Sequence, residues 1–180
     1  MTEKIIFAGA GGQGIMLMAK ILAQAAVDAG KTITWLPSYG AEVRGGAAHC
    51  MLIVSDNEIP SPFIDTCDTL IAMNEPSLRK YLCRLKKDGL LVLNSSLIKG
   101  KNTGRGFKGV KISCNDIAAQ LGNIKVANMV AIGAYLARKR VVSLDSVFKV
   151  IRDLAKTTKK EELVKINKKA LEKGFKYGRS

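Results

Sequence analysis

The sequence has few of the residues that build metal centres. Its 180 residues include one histidine, His49, and four cysteines. Cys50, Cys67, Cys83 and Cys114 lie far apart, and no two of them form a C-x-x-C pair. Zinc sites and iron–sulfur clusters need clustered cysteine or histidine ligands. The spacing therefore argues against a metal site held by this chain alone, and we expect reduced cysteines buried as small apolar side chains.

Long apolar runs and aromatic clusters are also missing. The most apolar stretch, 14–27, is interrupted by Lys20 and Gln24, whereas a membrane span needs about 20 apolar residues. The first residues lack the apolar stretch and cleavage site of a signal peptide. Surfaces that bind single-stranded nucleic acids combine aromatic side chains with basic ones. In this chain aromatic residues make up only 6%, and they do not alternate with basic residues. We therefore expect a cytoplasmic protein that binds neither membranes nor nucleic acids.

Acidic residues are scarce in the second half of the chain. Residues 1–98 carry nine basic and nine acidic side chains, whereas residues 99–180 carry twenty and six, so the whole net charge of +14 lies there. A basic half of this kind suits a nucleic acid, a membrane surface, or an anionic partner or ligand. A lysine-rich solvated surface explains it equally well, so the charge by itself does not decide between these alternatives.

Short apolar runs alternate with helical periodicity along most of the chain. This alternation predicts a single α/β domain over 1–180, with a mostly parallel sheet flanked by helices, a Rossmann-like start and a helical C-terminal part. Residues 95–109 read as a flexible loop and residues 143–177 as basic helices. Strands are expected at 4–8, 32–36, 48–54, 70–73, 89–93 and 110–114, and helices at 13–29, 75–86, 129–139, 144–155 and from a capping box at Thr158 and Glu161 onward.

The first motif is a glycine-rich turn between a strand and a helix. It has the pattern G-x-G-x-x-G, and its candidate ligand-binding residues are Gly9, Gly11, Gly12, Gln13 and Gly14. Such a turn lets a backbone approach a phosphate at a helix N-terminus. A dinucleotide site would also need an acidic residue after the second strand, where the chain reads Trp35-Leu-Pro-Ser38. Phosphate binding, dinucleotide binding and a purely structural turn remain as alternatives.

The second motif is the loop that follows the second predicted strand. Its candidate ligand-binding residues combine an aromatic ring, a carboxylate, a guanidinium group and several glycines: Ser38, Tyr39, Gly40, Glu42, Arg44, Gly45 and Gly46. These groups suit an anionic ligand or a partner protein. The alternative is a Glu42–Arg44 ion pair that only braces the loop. A position beside the glycine turn, at the carboxyl edge of a parallel sheet, favours a functional role.

These motifs occur together in one protein family. Gly11-Gly-Gln-Gly-Ile, Pro37-Ser-Tyr-Gly-Ala-Glu-Val-Arg-Gly-Gly, Ile53-Val-Ser with Ile59-Pro-Ser-Pro, and Ala72-Met-Asn with Ser77-Leu resemble the gamma subunit of 2-oxoacid:ferredoxin oxidoreductases. The resemblance spans roughly residues 4–135. The second motif carries most of it, because a G-x-G-x-x-G pattern alone has low specificity. The basic C-terminal helices contain no diagnostic motif.

The resemblance implies a subunit that works only in an assembly. Such enzymes decarboxylate a 2-oxoacid on thiamine diphosphate, pass electrons through iron–sulfur clusters to ferredoxin or flavodoxin, and release an acyl-CoA. The chain has neither a Gly-Asp-Gly motif nor clustered cysteines, so thiamine diphosphate, magnesium and 4Fe-4S clusters would belong to alpha, beta and ferredoxin-like delta subunits.

In this family the gamma domain packs against the thiamine-bearing subunits and is connected with the placement of coenzyme A. We assign it no catalytic and no metal-binding residue. The favoured substrate is 2-oxoglutarate, followed by a branched-chain 2-oxoacid and then pyruvate. A stand-alone Rossmann-type nucleotide-binding protein is the main alternative, and a basic nucleic-acid-binding module ranks last.

Overall fold

One mixed sheet forms the centre of the protein. The computed structural model describes residues 1–39, 46–99 and 107–179. Within these ranges the strands lie in the order β2-β3-β1-β4-β5-β6, and their bounds are β1 (Thr2–Ala10), β2 (Thr32–Tyr39), β3 (Ala47–Ser55), β4 (Cys67–Ala72), β5 (Leu85–Asn94) and β6 (Lys108–Ile112). β1, β4, β5 and β6 pair in parallel, while β3 runs antiparallel to both β1 and β2. The predicted α/β fold with a mostly parallel sheet is confirmed, with β3 as the reversed strand.

Helices cover the two faces of the sheet unequally. They are α1 (Ile15–Asp28), α2 (Glu75–Tyr81), α3 (Cys114–Gln120), α4 (Ala127–Arg138), α5 (Leu144–Thr157) and α6 (Val164–Arg179). One face packs against α1 and α3 to α6, and the other packs against α2 and the segment 56–66. Ile5 and Phe7 of β1 point to the first face, and Ile6 and Ala8 point to the second. Because β1 is central and covered on both faces, four consecutive side chains in it are fully buried.

Helices α4 and α6 touch along their backbones. A Cβ at Gly133 of α4 would overlap the carbonyl of Leu171, and a Cβ at Gly174 of α6 would overlap the carbonyl of Val130. Without side chains at these two positions the helix axes approach closely, and α6 is held firmly against the helical layer. The basic segment predicted at 143–177 therefore forms two helices, and a glycine contact fixes the second of them.

Two predicted helix boundaries are wrong. The helix expected over 75–86 ends at Tyr81, and a turn of 3-10 helix over Leu82–Arg84 leads into β5. Leu85 pairs with Cys67 of β4, so strand pairing overrides the helical spacing of the leucines. Thr158 does not cap the last helix; its hydroxyl donates to the carbonyl of Leu154 at the end of α5. A 3-10 turn over Glu161–Leu163 precedes α6.

The segment after β5 also differs from the prediction. The strand expected at 110–114 is β6 and ends at Ile112, and Cys114 begins α3, a helix that the sequence reading missed. The N–H of Cys114 donates to Oδ1 of the buried Asn94, so a residue twenty positions away caps α3. The predicted loop 95–109 is shorter because β6 begins at Lys108, and its residues 100–106 lie outside the described ranges. No described helix is long and apolar enough to cross a membrane.

Candidate functional site at the carboxyl edge of the sheet

The chain leaves the neighbouring strands β1 and β4 in opposite directions. After β1 it forms α1 on one face of the sheet and then β2, on the far side of β3. After β4 it forms α2 on the other face and then β5, next to β4. In open α/β sheets, such a reversal opens a crevice at the carboxyl ends of the two strands, where ligands bind. The glycine turn 9–14 lies at this crevice.

Two glycines of the turn adopt conformations that other residues avoid. Gly12 has a φ of 93° and Gly14 a φ of 72°, both in the left-handed region. A Cβ at Gly14 would also collide with the side chain of Asn128 on α4, whereas a Cβ at Gly12 would meet open space. Gly14 therefore serves packing at the start of α1, and Gly12 leaves its surroundings accessible.

Gln13 holds the turn in place. Its Oε1 accepts a 2.7 Å hydrogen bond from the N–H of Ala10, and its Nε2 donates to the carbonyl of Met73 at 3.4 Å. The backbone N–H of Gln13 donates to the carbonyl of Ala10 at 3.1 Å. Both ends of the side-chain amide are therefore used within the chain. Gln13 braces the ends of β1 and β4, and its predicted role in ligand binding stays a prediction.

A polar crevice of about 130 Å³ lies between this turn and the start of α4. Its described lining residues are Gly12, Gln13, Met73, Asn115, Ile124, Lys125 and Ala127. Among these lining residues Lys125 is the one with a charged side chain, and it is exposed to solvent. Ligand sites for whole small molecules measure about 300–1,000 Å³. The crevice is therefore large enough for one anionic group of a larger ligand and too small for the rest of it.

A buried amide supports one wall of the crevice. Asn94, 1% exposed, donates from Nδ2 to the carbonyl of Met73 at 3.1 Å and to Oδ1 of Asn115 at 2.8 Å. The network thus fixes the side-chain oxygen of Asn115, which lines the crevice. Asn94, Asn115 and Lys125 were not predicted as site residues, because none of them belongs to a motif.

The described part of the second predicted loop contacts the glycine turn. The N–H of Gly11 donates to the carbonyl of Gly46 at 2.9 Å, and Ser38 lies near the end of β2, opposite His49 of β3. The backbone of Tyr39 ends β2. Gly40, Glu42, Arg44 and Gly45 lie outside the described residues, so their role stays a prediction. The described ends of the loop do lie at the carboxyl edge, as expected.

On the other face of the sheet, His49 stacks against Tyr81 of α2. The ring centroids are 4.9 Å apart, and Lys80 and Arg84 lie over the tyrosine ring. Burial lowers the pKa of His49, and the charges of Lys80 and Arg84 lower it further. This cluster of one imidazole and two cations was also missed from the sequence, where His49 stands alone.

The cysteines follow the expectation with one exception. Cys50, Cys67 and Cys114 are buried, and burial raises the pKa of each thiol to about 12. Cys83 is exposed, which corrects the prediction that all four are buried. Within 1–39, 46–99 and 107–179, no three cysteine, histidine or acidic side chains group as metal ligands do.

Known proteins are similar to this chain in sequence and in fold. The sequence model of the pyruvate ferredoxin/flavodoxin oxidoreductase family matches residues 4–177. The 2-oxoglutarate synthase subunit KorC of Archaeoglobus fulgidus is 36% identical over 133 residues, which cover 74% of this chain and 68% of KorC. The ketoisovalerate oxidoreductase subunit VorA of Methanothermobacter thermautotrophicus is 32% identical over 178 residues, 98% of this chain. The chain spans only 36% of the length of VorA.

Two solved structures are similar along the whole chain. The gamma subunit of a keto/oxoacid ferredoxin oxidoreductase from Geobacter sulfurreducens has a TM-score of 0.83 and 33% identity, and the match covers 98% of both chains. A 2-oxoglutarate:ferredoxin oxidoreductase from Magnetococcus marinus, solved with 2-oxoglutarate, coenzyme A and succinyl-CoA bound, has a TM-score of 0.90 at 23% identity. That match covers 99% of this chain and 31% of the other. At this identity it supports the fold alone.

Proposed function

The chain belongs to the pyruvate ferredoxin/flavodoxin oxidoreductase family, and from this premise we propose that it is the gamma subunit of a 2-oxoacid:ferredoxin oxidoreductase. The assembly oxidises a 2-oxoacid with coenzyme A to an acyl-CoA and carbon dioxide, and two electrons pass to ferredoxin or flavodoxin. Thiamine diphosphate, magnesium and the 4Fe-4S clusters supply this chemistry on alpha, beta and delta subunits. This chain docks on those subunits and binds part of coenzyme A.

The polar crevice between the glycine turn and the start of α4 is the observation that carries the proposal. Gly12 presents open backbone, Asn115 offers a polar side chain, and Lys125 supplies a positive charge. The start of α1 adds the partial positive charge of a helix N-terminus. Together these groups suit a phosphate, and coenzyme A is a phosphorylated substrate of the reaction. The crevice volume of about 130 Å³ means that the remaining parts of coenzyme A lie elsewhere, on this chain's surface or on a partner.

The chain itself contributes no redox or proton-transfer step to the proposed reaction. Its cysteines are separated and mostly buried, and its described residues contain no cluster of metal ligands. We therefore place thiamine diphosphate and the iron–sulfur clusters on the partner subunits in this proposal. Its residues bind and orient coenzyme A, and the chemistry takes place at groups held by other subunits.

The favoured 2-oxoacid is 2-oxoglutarate, in keeping with the similarity to KorC. The similarity to VorA covers more of the chain at slightly lower identity, so a branched-chain 2-oxoacid is the second candidate and pyruvate the third. The substrate pocket would be built mainly by other subunits. Assays of the assembled enzyme with each 2-oxoacid decide between them.

Reconstitution tests the proposal. We expect the tagged chain, purified from its own cells, to bring alpha and beta thiamine subunits with it. The assembly should reduce a viologen dye in the presence of a 2-oxoacid and coenzyme A, whereas the isolated chain should be inactive. Activity of the isolated chain would contradict the subunit role. If no partners copurify and NAD or NADP raises the melting temperature of the chain, the alternative of a stand-alone nucleotide-binding protein replaces it.

A further inference from the structure

An apolar groove of about 240 Å³ runs between α1, α5 and α6. Its walls are formed mainly by aliphatic side chains, namely Leu17 and Ile21 of α1, Ile151 and Leu154 of α5, and Leu163 of the 3-10 turn before α6. It is separate from the polar crevice, with which it shares no described lining residue. Neither the glycine turn nor the proposed coenzyme A site accounts for it.

Leu17 marks the groove as a surface that is open in the isolated chain. Helix α1 has eight fully or nearly fully buried residues, yet Leu17 is 45% exposed. It lies one turn after Gly14, at the end of α1 nearest to the glycine turn. An exposed leucine on the rim of an apolar groove is typical of a surface that a partner covers.

The two uncharged polar side chains that line the groove donate hydrogen bonds within the chain. Nδ2 of Asn167 donates to the carbonyl of Leu163 at 2.8 Å, and the hydroxyl of Thr158 donates to the carbonyl of Leu154 at 2.8 Å. Apart from the two lysines at its edge, the groove therefore has few donors to orient a polar small molecule. The groove instead matches apolar side chains of a protein segment.

The charges at the groove have one sign. Lys20 and Lys160 line it, and no acidic residue is among its described lining. Both lysines are exposed, and neither forms an ion pair with the residues that the structure describes. A complementary partner must therefore present carboxylates beside its apolar side chains.

We propose that this groove binds an amphipathic segment of a thiamine-bearing subunit, with apolar side chains in the groove and carboxylates beside Lys20 and Lys160. The proposal rests on the proposed function. Because Leu17 lies close to Gly14 along α1, a subunit docked here sits beside the glycine turn. It is then placed to supply the part of the coenzyme A site that the small crevice lacks.

Binding measurements with the purified alpha–beta pair test the groove. Leu17→Glu should weaken binding of the full-length chain at least about 30-fold, as loss of an interface hot spot does. The double variant K20E/K160E should weaken it at least about tenfold and flatten its salt dependence. Two controls change the same residue types outside the groove: Val27→Glu, at an exposed position of the same helix (49%), and Lys176→Glu on α6. Both should stay within about threefold of the unmodified chain.

Circular dichroism and melting curves first establish that each variant is folded. If Leu17→Glu and K20E/K160E bind as the unmodified chain does, the groove proposal is wrong and the subunit role stands. If the unmodified chain does not bind the pair at all, both fail. If light scattering shows that the isolated chain is a dimer that Leu17→Glu converts to a monomer, the occupant is a second copy of this chain and the proposal is overturned.

Discussion

The backbone N–H of Gly11 donates a 2.9 Å hydrogen bond to the carbonyl of Gly46. Thirty-five positions apart in sequence, these glycines join the turn after β1 to the loop between β2 and β3. Both segments therefore belong to one surface at the carboxyl edge of the sheet. A ligand at the turn would lie close to the described end of the loop, and changes in the two segments should affect the same step of the reaction.

Gly12→Ala should raise the KM for coenzyme A and leave the KM for the 2-oxoacid almost unchanged. The added methyl group points into open space at the crevice, where it obstructs the approach of a phosphate to the backbone. It also costs about 1–2 kcal/mol of backbone strain, because the φ of Gly12 is positive. Steady-state kinetics of the assembled enzyme measure both constants.

Gly30→Ala is the matched control for that strain. Gly30 has a φ of 75° and no atom within 4 Å of its Cβ position, and it lies at the opposite end of α1. It should lower stability by a similar amount without changing the KM for coenzyme A. If both variants shift that constant equally, or Gly12→Ala shifts neither constant in a normally assembled enzyme, the turn has only a structural role.

Arg44→Ala and Glu42→Ala should lower the specific activity of the assembled enzyme more than the stability of this chain. Their loop is glycine-rich and its described ends lie at the site, so we expect a change in unfolding free energy within about 0.5 kcal/mol. Melting curves of the isolated chain measure the change in stability, and assays of the complex measure the change in specific activity. A large fall in melting temperature with unchanged activity would make the pair a brace of the loop.

Gly174→Ala should destabilise the chain by at least about 2 kcal/mol, since overpacking costs about 1–3 kcal/mol and here the obstacle is the backbone carbonyl of Val130. Helix propensity alone predicts the opposite sign, because alanine is favoured over glycine by about 1 kcal/mol. Urea denaturation measures the difference. As a control, Lys173→Ala at the neighbouring exposed position should change stability by no more than about 0.5 kcal/mol. If Gly174→Ala leaves the free energy of unfolding unchanged, the two helices can separate at no cost.

His49 should make stability depend on pH near neutrality. Its pKa is lowered in the folded protein, so the unfolded chain binds the proton more tightly. The contribution is fully present above the unfolded pKa of about 6.5 and is lost as the pH falls through that value toward the folded pKa. Melting temperatures should therefore fall between pH 7.5 and pH 5.5.

His49→Gln should reduce that fall, and His49 is the only histidine in the chain. Lys80→Gln should reduce it partly, because the charge of Lys80 is one cause of the lowered pKa after burial. Identical pH profiles of the unmodified protein and His49→Gln would exclude the histidine as their source.

Several elements were predictable because their signals are local. Asn and Ser are favoured residues just before a helix, and the side chains of Asn74 and Ser143 each accept a hydrogen bond from a backbone N–H three residues on. Errors occurred where a distant contact decides the structure. Helix α3 begins at Cys114 because Asn94 of β5 caps it. Helix α2, which follows Asn74, ends early because Leu85 begins β5 and pairs with Cys67 of β4. Neither partner is visible from the neighbouring sequence.

The sequence by itself determined the glycine turn between a strand and a helix, the alternation of strands and helices, and the family motifs. Backbone conformation and apolar spacing depend on residues within one or two turns, so they can be read locally. Only the tertiary structure decided that β3 runs antiparallel and that Asn115 and Lys125 meet Gly12 at one crevice. Residues more than a hundred positions apart come together there because of the strand order. The free energy of packing the whole sheet selects this order, and no local sequence pattern encodes it.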